Sequence, residues 1–442
     1  MAHEERSDAE ARPWFSRHFG AVRLRQLADE AEHRLSFVPT LYVLAAILLV
    51  QILLWVDGRL VTESLPSWLE TTVASARSVF AAIAGGLITS TTLLLSIMLV
   101  AVQLASSQFS PRTLRDWLGN RRVQHAVGIV LGTTVFCLLA LRSTRDFGEN
   151  REPIIPHLTV LVAVTLGVLS LVAVVQAVDH ITNSLRVESV ATRLTDETTA
   201  VINRDRWTPE DIAWQVAPDS GAVAAGGDII VPDHASPIVA PQSGWVQQVD
   251  ARRLLDALPR GSTAYLTADV GTFVVRHSPV MWVAPSAPTS SSCHHDVFEA
   301  IAIGDTRTMQ QDAQFGIIQL TDIAVRALSP GINDPTTACE IVVHLGVVLT
   351  ALWEQPTERT TTRVGSHPDT VTLVRYQRPH SDHLTRALQP ILDYGSGDAR
   401  VVATLTQTVE RLRSEAERRD LAGPVGPLTD FLEEIGSVVE NR

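Results

Sequence analysis

Between Arg77 and Arg112 the chain carries no charged residue, and that window constrains the fold more than any other feature. Three further apolar stretches lie before Asp179, and nothing comparable is evident after it. The hydrocarbon core of a bilayer is about 30 Å thick and takes roughly 20 apolar residues of helix to cross. Phe37–Val56 meets that length, interrupted only by Pro39 and Gln51. The second stretch centres on Val79–Val102, the third runs Val123–Leu141 and the fourth Leu158–Val178. Helices in soluble cores seldom run so far without a charge. The sequence therefore predicts an integral membrane protein, with the lipid bilayer as its first partner.

The residues before Phe37 are strongly charged and contain no short apolar region with a cleavage site, so the first span reads as a retained anchor. Arginine placement gives the orientation. The N-terminal segment holds six arginines, from Arg6 to Arg34. The loop after the second span holds Arg112, Arg115, Arg121 and Arg122, and the segment after the fourth holds Arg186, Arg193, Arg204 and Arg206. The alternate loops carry Arg59 and Arg77, then Arg142, Arg145 and Arg151. This bias predicts a multi-pass protein of the cell membrane with both termini cytoplasmic.

All 36 basic residues are arginine. The absence of lysine excludes Schiff-base chemistry, a phosphate-binding P-loop and attachment of lipoyl or biotinyl groups. A net charge of -12 argues against a nucleic-acid partner. The 3 cysteines, Cys137, Cys293 and Cys339, are scattered and form no disulfide framework.

These features predict a membrane all-α region followed by a cytoplasmic α+β region, in five parts. Residues 1–36 are an N-terminal segment whose apolar stripe suits either an interfacial helix or packing on the soluble part. Residues 37–182 are a four-helix transmembrane domain. Residues 183–225 are a connecting helix and linker, with the fourth span expected to continue unbroken toward Pro209. Residues 226–285 alternate short β-prone runs with turns, as in a small β-barrel or sandwich. Their motifs APQSGWVQQVD and ADVGTFVVRHSPVMWV look similar to the barrel-sandwich half of biotinyl and lipoyl carriers. Residues 286–442 read as mostly helical after a Pro/Ser/Thr linker, with Asp305–Leu328 and Pro335–Trp353 the strongest helices and Val371–Val374 a short strand.

The most distinctive segment is RTMQQDAQFGIIQLTDIAVRALSPGINDPTTA, from Arg307 to Ala338. It resembles the signature of the bacterial membrane proteins grouped as domain of unknown function 2254, whose layout of about four spans and a cytoplasmic domain also agrees. The resemblance covers roughly Arg34 to Leu392 and implies no activity, ligand or catalytic residue. On a helix, Gln319, Asp322 and Arg326 share a face, and Phe315, Ile318, Ile323 and Leu328 are expected inward. Gly331 permits a left-handed turn, and Asp334 followed by Pro335 is a helix start. Gln319, Asp322, Arg326, Asn333 and Asp334 suit either a buried Asp–Arg pair fixing a corner or a small polar ligand or ion site.

Three other groups remain. Thr89, Ser96, Gln103 and Ser110 recur every seven residues along the second span, with Thr92 and Ser107 nearby. They suit a pore lining in an oligomer, or hydrogen bonding in a tight bundle. Ala81/Gly85, Ala82/Gly86 and Gly128/Gly132 are spaced for close helix contact. The long uncharged window leaves the second span to tilt, break at Gly85–Gly86 or extend toward Pro111. Gln176, Asp179 and His180 form a polar group at the inner end of the fourth span, as an interfacial collar or a pH-sensitive site. Cys293, His294, His295 and Asp296, with His277, are metal-ligand types without a zinc spacing. No metal, cofactor or catalytic set is expected. Two functions stay open: a homo-oligomeric conduit for an unspecified ion or small solute, regulated by the cytoplasmic domain, or a membrane-anchored binding or sensory module without transport.

Overall fold

The computed structural model describes residues 37–59, 72–108, 121–144, 156–184, 186–204, 229–284, 291–354, 361–364, 371–375 and 379–440. The apolar stretches form α1 (Phe37–Asp57), α2 (Val73–Gln108), α3 (Arg121–Ser143) and α4 (His157–Ser184). Helix α2 passes Gly85 and Gly86 unbroken and continues to Gln108, which rules out the break.

Small residues let these helices approach. Ala46 and Val50 of α1, Ala76, Phe80 and Ala84 of α2, Phe136, Cys137 and Ala140 of α3 and Ala163 of α4 make one buried cluster. Leu94, Met98 and Ala101 meet Val123, Ala126, Val127, Ala173, Ala177 and Ile181 in a second. The contact expected at Gly128 and Gly132 is real. A Cβ at Gly128 would lie 2.6 Å from the Tyr42 ring, and one at Gly132 3.1 Å from the Tyr42 carbonyl oxygen. Gly85 and Gly86, by contrast, have nothing within 4 Å to pack against among the described residues.

Several polar groups of the bundle are paired. The Ser170 hydroxyl donates to Thr133 Oγ1 at 2.9 Å, and Tyr42 bonds His125 at 3.2 Å. Buried Asp57, at the end of α1, accepts from the Leu158 N–H at 3.0 Å, the Thr159 N–H at 3.1 Å and the Thr159 hydroxyl at 2.6 Å. It thereby caps the free amides at the start of α4. Outward, α1 presents Leu41, Leu44, Leu48 and Ile52, and α4 presents Val168, Leu171, Val172 and Val175. A contiguous aliphatic exterior of this kind suits hydrocarbon and is unfavourable in water.

The chain divides into two compact units, one ending at Arg186 and the other beginning at Val187. The single helix expected past the fourth span is therefore two: α4 ends at Ser184 and α5 spans Val187–Arg204. The apolar face of α5, with Val190, Ala191, Leu194, Val201 and Ile202 buried, is committed to the second unit.

That unit continues with β1 (Ser236–Val239), β2 (Gly244–Val249), α6 (Ala251–Ala257), β3 (Thr263–Leu266), β4 (Phe273–Val274), β5 (Pro279–Ala284), α7 (Ser291–Ala300) and β6 (Ile301–Gly304). Then follow α8 (Ala313–Ala327), α9 (Pro335–Trp353), β7 (Thr361–Val364), β8 (Val371–Arg375), α10 (His380–Gly395), α11 (Ala399–Arg418) and α12 (Ala422–Glu440). The strands make a five-stranded sheet, β1-β5-β3-β8-β7, and a three-stranded sheet, β4-β2-β6. Pairing is antiparallel except for β3 with β8. Ile238, Val246, Leu254, Leu266, Met281, Val297 and Leu373 fill their common core. The self-contained β unit expected over 226–285 is thus not what forms. Its strands pair into two sheets and recruit β6, β7 and β8 from farther along, because short strands leave edges that other strands must cover.

The remaining helices form a second layer in which α8 and α9 make a hairpin flanked by α5, α10 and α11, and α12 packs on α10 and α11. Helix α8 starts at Ala313, later than the expected Asp305, because Asp312 turns the chain as its N-cap. Five described helices are long and apolar enough to cross a membrane. The fifth is α9, which the sequence reading did not count among the spans. Ala338, Ile341, Val342, Leu345, Val348 and Leu349 of α9 are buried by the other helices of the second unit.

Candidate functional site

The distinctive segment begins by tying the sheets to the helices. The Gln247 side chain donates to the Thr306 carbonyl at 2.6 Å. Gln311 behaves like one more residue of strand: its Oε1 accepts from the Val249 N–H at 2.8 Å, and its Nε2 donates to the Val249 carbonyl at 3.1 Å. Arg307 donates from Nε to Asp312 Oδ2 at 2.6 Å, and its guanidinium lies 5.6 Å from the Trp245 ring and 5.2 Å from the Phe315 ring. Asp312 uses its other oxygen to cap α8, accepting from the Phe315 N–H at 3.1 Å. Gly271 sits against this pair with φ +81°, and a Cβ there would fall 2.3 Å from Asp312 Oδ2. Replacing Gln311 by leucine should cost about 1–3 kcal/mol, since the Val249 backbone groups then lose their partner in a part-buried place. Chemical denaturation of the full chain, read by far-ultraviolet circular dichroism, checks this.

Farther along, Gln319 is buried, Asp322 and Arg326 are half-buried, Asp334 is half-buried and Asn333 is exposed. Asp322 and Arg326 thus sit at the edge of the core and not deep within it. Ile323 is buried as expected, while Ile318 and Leu328 are only partly covered. The left-handed residue is Asn333, at φ 51°, and not Gly331. Asparagine tolerates that region because its short polar side chain can bond locally. The turn closes through the Asp334 N–H to the Ala327 carbonyl at 2.8 Å. Asp334 then caps α9 as its sequence context indicates, accepting from the Thr337 N–H at 3.2 Å and the Thr337 hydroxyl at 2.6 Å.

The Thr337 hydroxyl, above other influences, holds the Asp334 carboxyl below the usual range, and the charge of Arg400 acts in the same direction. Arg400 is a residue that the sequence reading missed. It donates from Nη2 to Asp398 at 2.9 Å, while Asp398 caps α11 through the Arg400 N–H at 2.8 Å. Two capped helix starts and one arginine thus share the corner. The only available signal was the Asp398-Ala399 helix start, and nothing in the sequence ties it to Asp334.

In the first unit, Thr89, Thr92, Ser96 and Gln103 all lie exposed on α2, and Ser110 falls outside the described residues. The buried side of the same helix is Ala76, Phe80, Ala84, Leu87, Leu94, Met98 and Ala101. The hydroxyls of Thr89, Thr92 and Ser96 donate to the carbonyls of Gly85, Ile88 and Thr92 at 3.1, 3.0 and 2.9 Å. They satisfy themselves within the helix and do not stitch it to α3 or α4. At the end of α4, Gln176 and Asp179 are exposed and His180 is half-buried, within electrostatic range of Arg122 and Asp179. On α7, His295 lies 3.5 Å from Glu299. Among the described residues, no three histidine, cysteine or acidic side chains are grouped to hold a metal ion.

Residues 32–411 match the family described as Predicted membrane protein (DUF2254). The chain belongs to this family. An uncharacterised protein of Mycobacterium bovis is 31% identical over 289 residues, 64% of this chain and 53% of the relative. Uncharacterised proteins from two strains of Mycobacterium tuberculosis match to the same extent. The chain spans about half the length of the curated relatives it matches. No solved structure matches it. For this DUF2254 member, the signature that carries the resemblance is built chiefly of caps, a sheet-edge mimic and close helix contacts.

Proposed function

We propose that this DUF2254 protein is a multi-pass membrane protein crossing the bilayer four times, through α1 to α4, with both termini and the second unit on the cytoplasmic side. Copies of the chain assemble through α2 into a conduit for an ion or small polar solute. One observation carries this reading: α2 turns Thr89, Thr92, Ser96 and Gln103, with Gly85 and Gly86, away from its own bundle. The outward faces of α1 and α4 are more largely aliphatic, with Gln51 of α1 and Thr165 of α4 exposed among them, while α2 sets its polar residues beside exposed Leu93, Leu99 and Val100. Glycine and hydroxyl residues in a membrane favour close helix contact or a water-filled path over lipid, and a glutamine amide favours either over hydrocarbon. The arginine bias of the loops supports the orientation. Helix α9, though apolar enough, owes its apolar residues to the core of the second unit and is not counted as a span.

Cysteine scanning tests the assembly. In a variant with its natural cysteines replaced, Ser96→Cys should form a covalent dimer on mild oxidation in native membranes, whereas Val168→Cys on the aliphatic face of α4 should not. Liposomes carrying the protein should release a trapped ion, and Gln103→Leu should change the rate. Equal cross-linking at both positions, together with no flux, overturns the conduit.

The second reading, a membrane-anchored binding module without transport, is favoured by the corner where Arg400 faces Asp334 and Asp398. A small-molecule stabiliser found by thermal shift, with its effect abolished in Arg400→Ala, would support it.

A further inference from the structure

We propose that His380 is a proton-triggered latch holding the start of the C-terminal helix α12. His380 is the first residue of α10 and is 7% exposed. Its ring stacks on Trp353, the last residue of α9, with centroids 5.9 Å apart and planes inclined by 28°. From another side, a Cβ at Gly423 in the first turn of α12 would lie 3.5 Å from its Nε2. Three helix ends therefore close on one imidazole. Neither ring nitrogen makes a hydrogen bond among the described residues, and Trp353 Nε1 is equally without a partner there.

A neutral ring fits this enclosure as a flat, largely apolar body. An imidazolium does not: it would be a buried cation with two N–H donors and no acceptor among the described residues. Its place at the N-terminus of α10 adds a positive helix end, which opposes further positive charge. Burial accordingly pushes the pKa of His380 below the ordinary histidine value. Among the described residues, the charged groups around it are engaged elsewhere. Glu354, which follows Trp353 on the α9 side, and Glu415 of α11 are both bound by Arg419. On α10 itself Asp382 is held by Arg386 at 2.9 and 3.0 Å, and His383 bonds Gln314 of α8 at 2.8 Å. The start of α12, from Ala422 to Leu428, has no ionisable side chain.

The element over the ring is also the one built to yield. Gly423, Pro424, Gly426 and Pro427 crowd the start of α12. Glycine weakens a helix, and Pro427 has no N–H to give to the Gly423 carbonyl. Farther along, buried Leu428, Phe431 and Ile435 anchor the helix. A crevice of about 10 Å³ on the Trp353 side, reaching Leu421 just before α12, has room for one water. The sign follows from the depressed pKa. The closed latch is fully stable above the ordinary histidine value and loses stability as pH falls below it. A single proton taken up on opening raises the opening constant by at most about tenfold per pH unit.

Hydrogen exchange of the full chain in detergent, corrected for the intrinsic rate, tests this between about pH 5 and pH 8. Protection of peptides covering 422–430, whose amides at Gly426, Leu428, Thr429 and Asp430 lie past the first turn, should fall with pH, by up to about tenfold per unit, in the natural chain. It should be flat in His380→Phe, which keeps the stack on Trp353 without a titrating nitrogen. Should that variant fail to fold, His380→Gln serves instead. Protection that ignores pH in the natural chain, or falls equally in the folded variant, overturns the latch. So does a His380 resonance that titrates at or above the ordinary histidine value.

Discussion

Replacing Gly316 by alanine should break the contact between α5 and α8, and it is the single-methyl change expected to cost the second unit most. A Cβ at position 316 would stand 1.9 Å from Thr198 Oγ1, 2.9 Å from its Cβ and 3.0 Å from its Cγ2. Thr198 cannot easily turn aside. It is fully buried, and its hydroxyl is engaged with the Leu194 carbonyl of its own helix at 2.5 Å. β-Branched side chains in helices have few rotamers to offer. The two helices must therefore separate, and overpacking of this kind costs about 1–3 kcal/mol or more. Around that contact Leu194, Ile202, Ile317 and Leu320 are buried, so the loss would spread through well-packed neighbours. Thermal melting of the full chain should show the drop. Thr198→Ala removes the two side-chain atoms beyond Cβ and should restore part of the loss in the double variant, whereas additive losses would refute the contact as the cause.

Gly316 also illustrates what the sequence conceals. A glycine inside a strongly helical run announces a close approach, but not the approaching residue, which here lies more than a hundred positions earlier. Local signals were read well. Helix α9 runs over the expected Pro335–Trp353, because Asp334-Pro335 announces its start. Strand β2 lies within the APQSGWVQQVD motif and β8 covers the expected Val371–Val374. What escaped depends on distant partners. Parallel pairing of β3 with β8 sets Ala264 beside Leu373, and no periodicity in either segment encodes the other. Strand β6 follows α7 with no turn residue between them, and β7 holds a single apolar residue, so no alternation declares either.

The candidate site divides in the same way. Asp334 as a cap was legible from the proline after it. Gln311 was not, because a side chain imitating a strand leaves no pattern in its neighbours. The residues in the middle of the membrane stretch were legible as polar, but their direction was not. A seven-residue spacing places Thr89, Ser96 and Gln103 on one side of a helix without saying whether that side meets the bundle. The buried stripe from Ala76 to Ala101 decides it.

Replacing Asp57 by alanine should have the largest effect in the first unit. Three donors converge on this carboxylate, and two are backbone amides at the start of α4 with no acceptor inside their own helix. The third, the Thr159 hydroxyl, is buried along with Asp57 itself. Alanine would strand all three in a place where water and other side chains are scarce. Each unsatisfied buried donor costs about 1–3 kcal/mol, and loss of a negative charge at a helix N-terminus adds to that. Part of the penalty is recoverable as the helix start frays toward the interface, so the expected loss is about 2–4 kcal/mol. Asparagine keeps one carbonyl oxygen for a single amide but places an NH2 group against the remaining donors, so it should rescue less than half of the effect. Glutamate restores the charge with one methylene too many and should strain the crossing of α1 with α4. The order expected in thermal unfolding of the detergent-solubilised protein is Asp57, then Glu or Asn, then Ala. A melting temperature for Asp57→Ala equal to that of the natural chain would mean that α4 holds its place by aliphatic packing alone, and that the cap is incidental.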